Sequence, residues 1–263
     1  MLKKIFVYII SIMMLAPLSA QEAVEAPEAT AATDSVDIQL KIRAGVEIAG
    51  PAIYLTDKNI LNLEAYCSFD LNEVRSIYAG AGFTDYHYSQ YNYSFSAKGS
   101  FLKAGMDFNL LRPEMAEGRY WAGLGLRYGI SRFSYETASF SYENYWGSTT
   151  SSVPRQSAWG HFIEASGGFR AELFKNFSIG WMVSARKLIY SGADKHVSPI
   201  YFPGYGESGS SFSFAINYFL TWNIPYKKIR VQIKPEPVEE PGDEETEGND
   251  DFSRNVGRQR IGS

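Results

Sequence analysis

The sequence predicts an all-β protein, an eight-stranded antiparallel up-and-down transmembrane β-barrel. Three observations carry that expectation. Eight segments alternate apolar and polar residues with a period of two. Each is about as long as the 9–11 residues a strand needs to cross a bilayer. The connections between them alternate between short and long, as in barrels with tight turns at one end and surface loops at the other.

The last segment shows the alternation best. Phe212, Phe214, Ile216, Tyr218, Leu220, Trp222 and Ile224 fall on one side, and Ser213, Ala215, Asn217, Phe219, Thr221 and Asn223 on the other. Only a strand sends successive side chains to opposite faces. A large apolar row ending in Trp suits hydrocarbon and then its interface. The first segment, 37–50, alternates Ile38, Leu40, Ile42, Ala44, Val46 and Ile48 with Gln39, Lys41, Arg43, Gly45 and Glu47. The second, 61–70, points Leu61, Leu63, Ala65 and Phe69 outward. The third, 75–84, turns out Ile77, Ala79, Ala81 and Phe83.

The fourth segment ends with Leu102, Ala104, Met106, Phe108 and Leu110 outward and Lys103, Asp107 and Asn109 inward. The fifth, 120–133, places Ala122, Leu124, Leu126, Tyr128 and Ile130 out and Arg127 in. The sixth sets Ile163, Ala165, Phe169 and Leu173 against Glu164, Ser166, Arg170 and Glu172. The seventh sets Phe177, Ile179, Trp181 and Val183 against Ser178, Gly180, Ser184 and Arg186. Connections 71–74, 111–118 and 174–176 are short, whereas 136–157 and 190–211 are long. Up-and-down order from a periplasmic N-terminus puts every short turn in the periplasm and both long loops outside.

Residues 1–20 read as a signal peptide: Lys3 and Lys4, an apolar run from Ile5 to Leu15, and small residues before expected cleavage near Ala20. Residues 21–36 form a flexible leader, 37–226 the outer-membrane barrel, and 227–263 a disordered charged periplasmic tail, acidic and Pro-rich from Pro235 to Asp251. The single Cys67 excludes an internal disulfide framework and is expected on the outward face of its strand. A net charge of −4 over 263 residues argues against a nucleic-acid partner.

The inward faces collect Lys41, Arg43, Lys103, Arg127, Arg170 and Arg186 with Glu47, Glu64, Asp107, Glu164 and Glu172. An eight-stranded barrel is just wide enough for its own side chains. These near-balanced charges are therefore expected to pair into a plug, with an ion pathway or proton relay as the alternative. His87, His161 and His196 fall toward the outer side, with Ser157 and Glu164 near His161 in sequence. No spacing forces a triad or a metal site. No enzymatic activity, cofactor or metal is expected.

The outer loops offer the better functional candidates. Tyr145 and Trp146 stand among Ser and Thr in the third loop, and Tyr201, Phe202 and Tyr205 in a fourth loop stiffened by Pro199, Pro203, Gly204 and Gly206. Such aromatics anchor protein interfaces. They equally suit packing over the barrel rim or in the interfacial girdle.

Gly105-Met106-Asp107-Phe108-Asn109, Gly125-Leu126-Arg127-Tyr128-Gly129 with Phe133, Lys175-Asn176-Phe177, Gly180-Trp181 and Tyr201-Phe202-Pro203-Gly204-Tyr205-Gly206 resemble an uncharacterised outer-membrane β-barrel family of the Bacteroides group, a domain of unknown function. The resemblance covers about Asp37 to Tyr226 and implies a small outer-membrane protein with no assigned activity. The long acidic tail departs from it. Two functions stay open. One is a non-porin docking subunit of an envelope complex for protein insertion, secretion or surface lipoprotein assembly, with outer-membrane lipid and envelope proteins as partners. The other is a barrel that binds or transports a lipid or small ligand.

Overall fold

The computed structural model describes residues 35–112, 119–194 and 198–232. The signal segment, the leader up to residue 34, His196 and the tail beyond Gln232 lie outside the described residues. The strands are β1 (Ser35–Glu47), β2 (Ile60–Asp70), β3 (Arg75–Gln90), β4 (Tyr93–Asn109), β5 (Tyr120–Asn144), β6 (Gly147–Phe174), β7 (Phe177–Ser191) and β10 (Ser213–Gln232). Each is antiparallel to its neighbours, and β1 closes the ring between β10 and β2. Closure leaves the ring without a free sheet edge wherever every strand is paired. A two-stranded hairpin, β8 (Tyr201–Phe202) with β9 (Gly206–Glu207), forms a separate small sheet.

The outer wall is a lipid-facing surface because its side chains are apolar where they are exposed. Leu102, Leu124, Leu126, Ile163, Ile216 and Ile77 all project outward, and Cys67 is exposed on the same face. Aromatic pairs mark both ends of this band. Toward the short turns, Phe69 stacks on Tyr226 with ring centroids 4.9 Å apart, and Phe177 meets Trp222 at 6.4 Å. Toward the loops, His161 meets Tyr190 at 5.5 Å and Nδ1 of His161 lies 2.8 Å from the Tyr128 hydroxyl. Such girdles sit where an aromatic ring can touch hydrocarbon and water together.

The structure corrects the sequence reading at four places. Ile38 and Leu40 face inward and are buried. The β1–β10 register shifts between Leu40, opposite Lys227, and Lys41, opposite Pro225, so Tyr226 is an extra residue. A one-residue slip exchanges the two faces of a strand. Residues 227–232 are not tail: they continue β10 and pair with Ser35–Leu40, where Arg230 bonds Asp37 at 3.1 Å. The expected loop 136–157 is a β-hairpin, since β5 and β6 pair out to Asn144 and Gly147. The first strand stops at Glu47 and not at residue 50, and a helix follows, α1 (Ala49–Thr56). Pro51 sits in its first turn, where a missing N–H costs nothing.

Candidate functional site

The lumen is built by register. Arg127 of β5 lies directly opposite Glu164 of β6, and Glu164 directly opposite Arg186 of β7. Facing residues on neighbouring strands have Cβ atoms about 4.5–5.5 Å apart, so one row across three strands puts a carboxylate between two guanidiniums. Arg127 donates to Glu164 at 3.0 Å and Arg186 to Glu164 at 2.7 Å. Lys103 reaches the same carboxylate at 3.1 Å and holds Glu64 at 2.9 Å. Arg127 also donates to Asp107 at 2.9 Å, and its guanidinium lies 3.7 Å from the centre of the Tyr78 ring. Three cations and three carboxylates therefore form one neutral, buried cluster. Unpaired, each charge would cost several kcal/mol to hold in a dry interior.

A second group of charges sits nearer the short turns. Lys41 pairs with Glu172, and Arg43 with Asp70, which also accepts from Ser76 at 2.8 Å. Arg170 of β6 donates to the Tyr66 hydroxyl of β2 at 3.2 Å and lies over Trp121 at 5.1 Å. In the strand order β6 and β2 are opposite walls, so this bond spans the barrel. Together these contacts fill the lumen with side chains, as an eight-stranded barrel allows.

Nine of the eleven expected lumen charges thus join ion pairs, and two do something else. Glu47 accepts from the amides of Ala49 and Gly50 at 2.7 and 2.8 Å, and so caps the start of α1. Arg170 bonds and stacks on aromatic groups, as described above. The residue missed in sequence was Asp70. It shares a face with Glu64, Tyr66 and Ser68 at spacing two, so the alternation itself held the signal.

Above the charges the lumen turns apolar. Phe133, Phe162, Tyr135, Phe95 and Tyr86 form a cluster with Phe202 and Tyr205 of the fourth loop. The docking role expected for this loop is corrected here. Phe202 and Tyr205 are each only 1% exposed, and Tyr201 stacks on Tyr86 at 4.3 Å. The loop folds into the barrel mouth as a stopper. Gly204 makes this possible: its φ is +76°, and a Cβ there would lie 2.5 Å from the Phe101 ring. Arg186 bonds the Tyr205 carbonyl at 3.4 Å, which ties the stopper to the charge cluster. By contrast Tyr145 and Trp146 are 92% and 89% exposed at the hairpin tip, their rings edge to face at 5.2 Å.

The two described histidines, His87 and His161, do not assemble. His161 lies on the outer wall while Glu164 is buried in the lumen, and His87 of β3 lies 2.9 Å from Asp85, with its own side chain exposed. Among the described residues no group of three or more His, Cys, Asp or Glu is gathered to hold a metal ion.

The architecture is that of an eight-stranded membrane β-barrel whose lumen is filled by its own side chains. The chain belongs to the family DUF6048, a domain of unknown function, which it matches over residues 1–229. No curated protein sequence matches it. Among solved structures it is similar to Ail, the attachment invasion locus protein of Yersinia pestis, at 10% identity over 76% of this chain and 100% of that one, with a TM-score of 0.35. It is also similar to CarO of Acinetobacter baumannii, at 12% identity over 72% and 98% of the two chains, with a TM-score of 0.32.

Proposed function

We propose that this chain is a non-porin outer-membrane barrel that serves as a docking subunit of an envelope complex, with the β5–β6 hairpin tip as its contact surface. The observation that carries this reading is the pair Tyr145 and Trp146, held in the open at the end of a hydrogen-bonded ribbon. Large aromatics on a pre-ordered backbone lose little freedom on binding and make strong interface anchors. A lumen filled by paired charges and a buried stopper argues against passage of solutes, so function moves to the surface. An outer-membrane location follows from the physics of the wall: a closed barrel with an apolar band satisfies its backbone without water.

A photo-reactive residue at Ser148 on intact cells tests the proposal. One defined envelope protein should be captured, and capture should be lost with Tyr145→Ala/Trp146→Ala although the barrel still folds. Undiminished capture by the double variant would remove the tip from the interface. In planar bilayers the wild-type protein should show no steady porin-sized conductance; such a current would overturn the filled lumen itself.

A further inference from the structure

The barrel wall has a window. β1 ends at Glu47, opposite Phe219, and pairs with β2 only from Ile42 to Val46. Its neighbours continue further toward the loop end, β10 to Ser213 and β2 to Ile60. The last rung on this side of β10 is the Ile48 amide on the Tyr218 carbonyl at 2.9 Å. Beyond it no strand stands between β10 and β2, and α1 occupies part of the space. The helix leans toward β2: a Cβ on Gly50 would lie 2.0 Å from the Asn62 carbonyl oxygen. A cleft of about 450 Å³ remains on the β10 side.

The lining shows that the cleft passes through the wall. The first five residues of β10, 213–217, all border it, as does Phe212 just before them. Successive side chains of a strand point to opposite faces, so a single cavity touches both sets only at an unpaired strand edge. At its inner end stand Arg186, Asn217 and Asn62; at its mouth stand Ile53, Phe214 and Ile216. Phe214 and Ile216 belong to the same outward row as Trp222 and Ile224, and Phe214 is 74% exposed. The mouth therefore reaches the lipid-facing surface, beside the loop residues Gly209 and Ser210 that also border the cleft.

We infer that this cleft binds a single-chain amphiphile with an uncharged, hydrogen-bonding head, such as a monoacylglycerol, which enters sideways from the membrane. The chain lies among Ile53, Phe214 and Ile216, and the head reaches the side-chain amides of Asn62 and Asn217. The volume falls in the range of about 300–1,000 Å³ typical of small-molecule sites, which pair apolar walls with a few convergent polar groups. The charges present argue against an anionic head. Arg186 is committed to Glu164 at 2.7 Å, and both oxygens of Glu47 are held by the amides of α1. Glu207 also borders the cleft. This site goes beyond the docking role and does not depend on it.

Native mass spectrometry of the full chain in mild detergent, titrated with monopalmitoylglycerol or with palmitate, tests the inference. One monopalmitoylglycerol should be retained per barrel, and palmitate should bind about tenfold more weakly or worse. Ala215→Trp, which fills the cleft, should weaken retention by about tenfold or more. Gly209→Trp adds bulk where no atom lies within 4 Å of a Cβ, and so tests the same site without crowding the wall. Leu126→Trp, on the lipid-facing wall away from the window, should bind as wild type. Heat-modifiable migration in gels reports whether each variant is folded, and Gly209→Trp decides if Ala215→Trp does not fold. No retention by the wild type, equal retention by a folded Gly209→Trp, or tighter binding of palmitate would each overturn the assignment.

Discussion

Residues 139–152 and residues 198–210 lie at the same end of the barrel and draw on a similar set of residues, yet one presents Tyr145 and Trp146 to solvent and the other buries Phe202 and Tyr205. The hairpin segment connects two adjacent strands. Its backbone groups pair with each other from Phe140–Ser151 down to Asn144–Gly147, so it can continue outward as a ribbon. The other segment joins β7 to β10, which pair with each other only between Phe177–Arg186 and Ser213–Trp222. Its chain reverses within a β8–β9 hairpin, helped by Gly204 and Gly206 at φ +76° and +111°. Phe202, Tyr205, Pro199 and Pro203 then pack almost fully buried. The lesson is that aromatic content does not decide exposure at a barrel mouth. Backbone pairing does, because a strand partner carries a segment outward and its loss lets the segment fold over the lumen.

The difference can be broken most strongly from below. Glu164→Ala would remove the carboxylate shared by Lys103, Arg127 and Arg186, and with it the anchor of the guanidinium that holds the stopper. A loss of about 3–5 kcal/mol is expected for breaking a buried pair of this kind. Urea unfolding of the barrel in detergent reads it; a loss below about 1 kcal/mol would mean that water already reaches the cluster. Phe202→Ala comes next, at about 3–5 kcal/mol for a truncated buried aromatic. The same assay should place it well apart from any hairpin variant.

Gly204→Ala is expected to cost about 1–3 kcal/mol through strain at a positive φ and the approach to Phe101. Limited proteolysis at the loop end should then cut the released stopper, which the wild type protects. If protection is unchanged, the loop has a second stable seat. The smallest effect belongs to the other region. Tyr145→Ala and Trp146→Ala together should shift stability by no more than about 0.5 kcal/mol per site, as is usual for exposed positions. An epitope inserted at Ser148 should be tolerated and reached by antibody on whole cells. The same insertion at Pro203 should prevent folding.

Local pattern carried much of the architecture. Alternation along 212–224 and along Leu102–Leu110 needs no knowledge of the partner strand, because the pleat alone sends neighbours to opposite sides. It failed at Ile38 and Leu40, where the repeat runs on unbroken and the register shift lies in the pairing with 225–227. It also ended β5 and β6 too early. Residues 134–157 leave the apolar belt, so their strands need no oily face and are mostly Ser and Thr with scattered aromatics and charges. The helix 49–56 went unseen because its apolar run joins the first strand without a break.

For the candidate sites the division is similar. Which charges enter the lumen was legible for Lys103, Asp107, Arg127, Glu164 and Arg186, since each holds an inward position in its own strand. That Glu164 receives three cations was not, because direct opposition of Arg127, Glu164 and Arg186 depends on the register of two hairpins. By itself the sequence determined an eight-stranded barrel with an apolar outer wall and a charged inner face, since a two-residue period is a local property of extended backbone. Only the tertiary structure decided that Tyr201, Phe202 and Tyr205 close the barrel while Tyr145 and Trp146 stand outside it. It alone also opened a window beside β10. Both outcomes depend on where strand pairing stops, and pairing joins residues far apart in the chain, so no single segment encodes it.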